Sequence, residues 1–372
     1  MGLFISRFLS QKLRFYTFIS IVLLLLVHGY NLNETYLQPF TLVHEPLTFT
    51  GFFEYFLANG ILRFRIPLLF IISGYIYALQ DKIPQIKHIL KRARSLLIPY
   101  LIWSAVGLAI TYAWQQFPLT ARAVYAAQLD QLGDNRTYNE IGLAGIVFRW
   151  LLTPISFQLW FILAIFLYDL LYPFIKWILA RKAIIWFTLT FLCWIFEISF
   201  LVIDSRGLFF FSLGIWIQKT NFQLDQKPKW LSVYVAWVFF IGCSLIKSFM
   251  AFELDPGSPF IHICLTLLHD TSVIAGILAI WYGGDYFVRY FMRKSWFRWC
   301  ASFSFFIFGL HAPLVVYLTQ LCFLFYRGFP YHRLLTYFLA PTITLGICIG
   351  LGALLRKKLP AFYSLCTGGR GF

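Results

Sequence analysis

Nine ionisable side chains lie inside or at the edges of strongly apolar stretches of this chain: His28, Arg63, Arg65, Asp169, Glu197, Lys247, His269, Asp270 and His311. A charge at mid-bilayer depth costs about 2.5–3.5 kcal/mol on insertion scales, so such groups are kept for pairing or for chemistry. His28 ends the first apolar stretch, about 21 Å along a helix from Arg14. There it either hydrogen-bonds a neighbouring helix or acts as a general base, taking a proton from a hydroxyl and returning it. Arg63 and Arg65 stand just before Pro67, a residue favoured in the first turn of a helix. They either snorkel to headgroups or offer planar, permanently charged guanidinium groups to a phosphate or an oxyanion. Two positions apart on a regular helix they diverge by about 200°, so one ligand meets both only if the start of the helix is irregular. Ser73, Gly74 and Tyr75 follow, with a small pair that lets helices approach closely. His311 precedes Pro313, which can kink its helix toward a bundle interior. Glu197 either packs between helices, pairs with an arginine or orients a histidine. His269 and Asp270 are adjacent, diverge by about 100° and form no ready-made dyad.

The elements that position these groups follow from composition. Of 372 residues, 60% are hydrophobic and 12% charged, and mean hydropathy is +0.73; soluble domains run nearer half apolar and a quarter charged. About 20 helical residues cross about 30 Å of hydrocarbon. Ten stretches qualify: 14–31, 55–79, 96–114, 157–180, 183–203, 206–218, 230–250, 260–282, 302–326 and 334–355, the sixth being the shortest. The sequence therefore predicts an all-α polytopic bundle of about ten transmembrane helices, a single integral membrane domain over residues 1–372. The first stretch follows Arg7, Lys12 and Arg14 as a secretory signal would, but no small-residue cleavage site comes after it, so it is expected to stay as the first helix.

A net charge of +16 could suit nucleic acid, yet the basic residues are scattered in short loops and not gathered on one stripe, so no nucleic-acid partner is expected. Their order is a topology signal. The N-terminus, Lys82 to Arg94, Lys176 to Lys182, Lys219 to Lys229, Arg289 to Arg298 and Arg356 to Lys358 fall on one side. Glu34, Glu45, Glu54, Asp130, Asp134, Glu140, Glu253 and Asp255 fall on the other. The positive-inside bias then makes both termini cytoplasmic. The longest outward loop is 115–156, whose mildly apolar part, 142–150, can lie along the interface. Seven cysteines without a C-x-x-C pair lead us to expect neither disulfides nor a metal site. No internal repeat is visible, which weighs against an inverted-repeat transporter.

Four ordered stretches carry a resemblance: Leu-Leu-Val-His-Gly (25–29), Leu-Arg-Phe-Arg-Ile-Pro-Leu-Leu-Phe-Ile-Ile-Ser-Gly-Tyr (62–75), Lys-Arg-Ala-Arg-Ser-Leu-Leu-Ile-Pro-Tyr-Leu-Ile-Trp (91–103) and Phe-Gln-Leu-Trp-Phe (157–161). Weaker matches are Phe-Phe-Phe-Ser-Leu-Gly-Ile-Trp (209–216) and Ser-Phe-Phe-Ile-Phe-Gly-Leu-His-Ala-Pro-Leu (304–314). In this order and spacing the chain resembles the acyltransferase 3 family, multi-spanning membrane enzymes that modify extracytoplasmic glycans and related acceptors. The resemblance implies about ten helices, a first-span histidine essential for acyl transfer, here His28, and an arginine before the Pro-Leu-Phe-Phe-like run that handles the acyl donor, here Arg63. The family's arginine about ten residues before the histidine has no counterpart, since Arg14 lies one helical turn too early.

On this reading Arg65, Ser73 and Tyr75 help hold the donor, and Lys91, Arg92 and Arg94 meet the phosphates of coenzyme A. Trp160, Glu197 and His311 stand as supporting residues. The expected donor is cytoplasmic acyl-CoA, acetyl-CoA foremost, as a co-substrate with no permanently bound cofactor. The expected acceptor is a glycan hydroxyl outside the cytoplasmic membrane, captured by loops 31–54 and 115–156. From a different class comes a proton-coupled transporter or flippase with His28, Glu197 and His311 as relay groups. Broken half-helices in symmetric positions would favour it.

Overall fold

The computed structural model describes residues 5–30, 38–81, 84–134, 136–199, 203–254 and 258–371, and the described residues form helices and no β-strand. Glu34, Lys82 and Asp255 of the charge tally, and the first part of the 31–54 loop, lie outside them. In chain order the helices are α1 Arg7–His28, α2 Phe49–Tyr55, α3 Arg65–Leu79, α4 Gln85–Gln115, α5 Pro118–Ala127, α6 Leu143–Leu151, α7 Trp160–Ile195 and α8 Ser205–Lys219. Then come α9 Val233–Glu253, α10 Pro259–Gly283, α11 Asp285–Phe291, α12 Ser295–Ala301, α13 Ser304–Tyr326, α14 His332–Lys358 and α15 Pro360–Thr367. Local chemistry starts several of them. Thr48, Asp204 and Ser232 accept the first free backbone N–H groups of α2, α8 and α9, while Pro118, Pro259 and Pro360 stand in the first turns of α5, α10 and α15.

Among the described residues, eight helical segments are long and apolar enough to cross a membrane. Two predicted stretches merge in α7, whose 36 residues exceed one crossing and break at Lys182 (φ −143°, ψ 49°). α8 coincides with the short sixth stretch and has 15 residues. Side chains such as Tyr234 and Ile184, more than four-fifths exposed, face outward as lipid-facing residues do. The mildly apolar 142–150 segment is α6, with Leu143 and Phe148 exposed and Arg149 turned inward.

The chain divides into two compact units, residues 1–20, 38–91 and 164–301 in the first, and 21–37, 92–163 and 302–372 in the second. In the first, α3 packs on α8 and α9 on α10. A Cβ on Gly74 would lie 2.1 Å from the Phe211 carbonyl oxygen, and one on Gly214 2.1 Å from that of Ile71. Gly74 of α3 thus serves close backbone contact, the packing role small residues have in membranes. At one end of this unit Asp81 accepts hydrogen bonds from Tyr172, Lys176 and Lys219 at 3.0, 2.6 and 2.7 Å. Burial alone would raise this carboxyl, but these donors carry it down to about 2.

In the second unit α13 packs on α14 and α5. Gly309 admits the Trp103 indole against the α13 backbone, and that indole donates to the Cys366 carbonyl at 2.9 Å. Gly29 lets the end of α1 approach Pro341 of α14.

Candidate active site

His28 is the last residue of α1, half-buried. Its ring stacks on that of His311 with centroids 5.4 Å apart and 20° between planes, and Phe157 meets it edge-on at 4.7 Å. The fully buried His311 sits where α13 breaks: Pro313 biases the residue before it away from helical backbone, and Ala312 is extended (φ −115°, ψ 140°). Proline has no N–H to give to the carbonyl four residues back. Gln158 supplies the substitute, donating from Nε2 to the Gly309 and Ala312 carbonyls at 3.0 and 3.1 Å, and Ser156 donates to the Ala312 carbonyl at 3.1 Å. His311 Nδ1 lies 3.1 and 2.9 Å from the Ile307 and Phe308 carbonyls. Carbonyls only accept, so Nδ1 carries the proton, and in the neutral ring Nε2 keeps the lone pair.

Arg63 belongs to the first unit. The segment before α3 is irregular: a π-helical turn, Phe56–Gly60, runs into a 3₁₀ turn, Ile61–Phe64. π-Bulges of this kind recur at functional sites. Arg63 donates from Nε to Asn59 Oδ1 at 2.8 Å, while Asn59 Nδ2 donates to the Tyr55 hydroxyl at 2.7 Å. The Asn59 carbonyl accepts from Lys247 Nζ at 2.8 Å, and the same nitrogen lies 2.9 Å from His269 Nδ1. Asn59, Lys247 and His269 are all fully buried. Arg65, also buried, turns its Nε back to the Leu62 carbonyl.

The remaining sequence-derived residues are spread along the fold. Ser73 and Tyr75 lie on α3; Tyr75 lines an open pocket of about 160 Å³ in the first unit with Gln218, Asn221 and Asp225. Lys91, Arg92 and Arg94 occupy the early turns of α4, with Lys91 and Arg94 exposed. Trp160 begins α7 beside Phe161. Glu197 lies beyond the end of α7 in left-handed backbone (φ 52°), with Arg206 and His262 as opposite-charge neighbours. Among the described residues no group of three metal-ligating side chains gathers. Asn59, uncharged, gave no signal in the sequence, and Gln158 stood inside the 157–161 motif without being given a role. Lys247 and His269 gave one, as ionisable residues in apolar runs, though nothing linked them to Arg63.

The order of motifs agrees with comparison against known proteins. The sequence profile of an acyltransferase domain matches residues 13–353, nearly the whole chain. The chain belongs to the acyltransferase 3 family. This membrane acyltransferase is also similar to the succinoglycan biosynthesis protein ExoH of Rhizobium meliloti (strain 1021), at 25% identity over 324 residues, covering 85% of this chain and 81% of the relative. No solved structure matches. The family match crosses both units and includes His28, Arg63 and His311.

Proposed function

We propose that this acyltransferase moves an acyl group, acetyl foremost, from cytoplasmic acyl-CoA to a hydroxyl of a glycan outside the cytoplasmic membrane. The observation that carries the reading is the stacked His28–His311 pair at the end of the first span. Two imidazoles at one place, one with its tautomer set by backbone carbonyls, suit proton removal from a hydroxyl acceptor. His28 is the base, or carries the acyl group itself, and His311 supports it. Arg63, held by Asn59, stabilises the oxyanion or grips the donor. Arg65, Ser73 and Tyr75 belong to the donor side, and Lys91, Arg92 and Arg94 meet the coenzyme A phosphates. A polysaccharide acceptor is supported by the relative in succinoglycan biosynthesis.

This reading takes α7 as two spans and α8 as a short one, giving ten crossings with both termini cytoplasmic. It is tested by thiol release: the protein in nanodiscs, given acetyl-CoA and an extracytoplasmic glycan extract, is expected to release coenzyme A in proportion to added glycan. The breaks at 56–64 and at Ala312 motivate a second reading, proton-coupled transport, under which no acyl-CoA is consumed.

A further inference from the structure

The short helices α11 and α12 join one span to the next without crossing the membrane again. α10 has 25 residues, about 37 Å of rise and enough to pass through the hydrocarbon. α11 and α12 have seven residues each, about 10 Å of rise, which is too short to cross. The end of α10 and the start of α13 therefore lie at the same membrane face, and the segment between them runs along that face.

One side of this segment is spent on the protein. Val288, Met292, Phe297 and Ala301 are buried. Phe297 packs on Phe15 and Phe18 of α1, with ring centroids 5.4 and 5.3 Å apart, and the Arg298 carbonyl accepts from Arg14 Nη2 at 3.0 Å. The other side faces outward. Tyr286, Phe287, Tyr290, Trp296 and Trp299 are between 46% and 72% exposed, far more aromatic surface than a water-facing turn carries. Interleaved with them are Arg289, Arg293, Lys294 and Arg298, all exposed. Asp285, the one acid of the segment, is taken by Lys12 at 2.6 Å. Among the described residues none of the four cations reaches a carboxylate, whereas Lys176 and Lys219, from other basic turns, share Asp81.

Tryptophan and tyrosine settle at headgroup level, where one end of the ring is in contact with acyl chains and the other with water. Basic side chains at that depth meet the phosphates of anionic lipids. Rings and cations alternating along short surface helices suit an element that lies in the interface. A soluble polyphosphate such as coenzyme A would satisfy the cations and leave five rings in water. An anionic phospholipid carries its phosphate next to its acyl chains and covers both.

We propose that α11, α12 and the turn between them form a docking surface for an anionic phospholipid, its phosphate held among Arg289, Arg293, Lys294 and Arg298 and its chains beside the exposed rings. Native mass spectrometry of the full chain in detergent, titrated separately with phosphatidylglycerol and with phosphatidylcholine of the same acyl chains, tests it. Wild type is expected to bind the first phosphatidylglycerol about tenfold more tightly than phosphatidylcholine. Arg293→Gln together with Arg298→Gln should lower that ratio about fivefold. Lys357→Gln together with Lys358→Gln removes the same charge from exposed residues at the end of α14 and should leave the ratio unchanged. Equal affinity of wild type for the two lipids, or equal loss in both double variants, overturns the proposal, the second by reducing the effect to general surface charge. Displacement of phosphatidylglycerol by excess coenzyme A also overturns it, since the cations would then serve a soluble phosphate. A second measurement needs no variant: phosphatidylglycerol with a photoactivatable headgroup should crosslink to wild type within residues 284–301, and crosslinks confined to other segments contradict the assignment.

Discussion

Replacing Lys247 by methionine separates the role of the buried network behind Arg63 from its contribution to stability. Lys247 is fully buried in α9 and donates to the Asn59 carbonyl at 2.8 Å, with His269 Nδ1 at 2.9 Å. Methionine fills much the same volume without the amine. Removing a lysine from membrane depth recovers about 2.5–3.5 kcal/mol. Leaving a buried carbonyl and an imidazole nitrogen without that donor loses about 1–3 kcal/mol each. The two nearly offset, so Lys247→Met is expected to fold with a stability change of no more than about 3 kcal/mol.

Activity should respond differently. The Asn59 carbonyl and side chain belong to one residue of the π-helical turn, and the side chain holds Arg63 at 2.8 Å. A shift near 1 Å in a positioning group lowers turnover by roughly a hundredfold. Coenzyme A release in nanodiscs, read with a melting curve, should show kcat down 10- to 100-fold at nearly unchanged KM for acyl-CoA, with partial rescue by Lys247→Gln, which keeps a donor. Wild-type kcat in a folded Lys247→Met protein would refute the positioning argument.

Three further outcomes are expected. Gln158→Leu removes the donors that replace the missing Pro313 N–H and should lower stability by about 2–4 kcal/mol, seen as a lower melting temperature together with loss of acyl transfer. Gly74→Ala places a methyl 2.1 Å from a backbone oxygen of α8 and should reduce folded yield sharply, by about 3 kcal/mol, whereas Gly242→Ala, with open space around it, should be silent in the same thermal assay. Asp81, whose folded-state pKa is depressed to about 2 from 3.8, contributes stability that is fully present above pH 4 and is lost as pH falls from about 4 to 2. Asp81→Asn should remove about 1–2 kcal/mol at pH 7 and flatten melting temperature over that acidic window.

The spans were legible because lipid imposes length and apolarity together, so nearly every helix longer than twenty residues coincides with a predicted stretch. The break between the fourth and fifth stretches was placed correctly near Lys182, where non-helical backbone kinks the chain between the two helical halves of α7. His28 and Arg63 stand out in the sequence through their motifs. The divergence expected for Arg63 and Arg65 assumed a regular helix, and the π and 3₁₀ turns at 56–64 removed that assumption. No local pattern announces a π turn whose carbonyl is taken by a lysine nearly two hundred residues away. Gln158 was hidden for a related reason: its partners are backbone carbonyls exposed by a proline in another helix. The 115–156 segment was read as the longest outward loop from span lengths and charge, and the short helices α5 and α6 within it are too short to give a span signal.

The most direct test of the central claim is transfer of label from radioactive acetyl-CoA to an extracytoplasmic glycan extract, with wild type and His28→Ala compared in nanodiscs at equal folded fraction. Labelled glycan with wild type and none with His28→Ala is the predicted result. Wild-type transfer by His28→Ala, or turnover of no acyl-CoA by folded wild type, would contradict it.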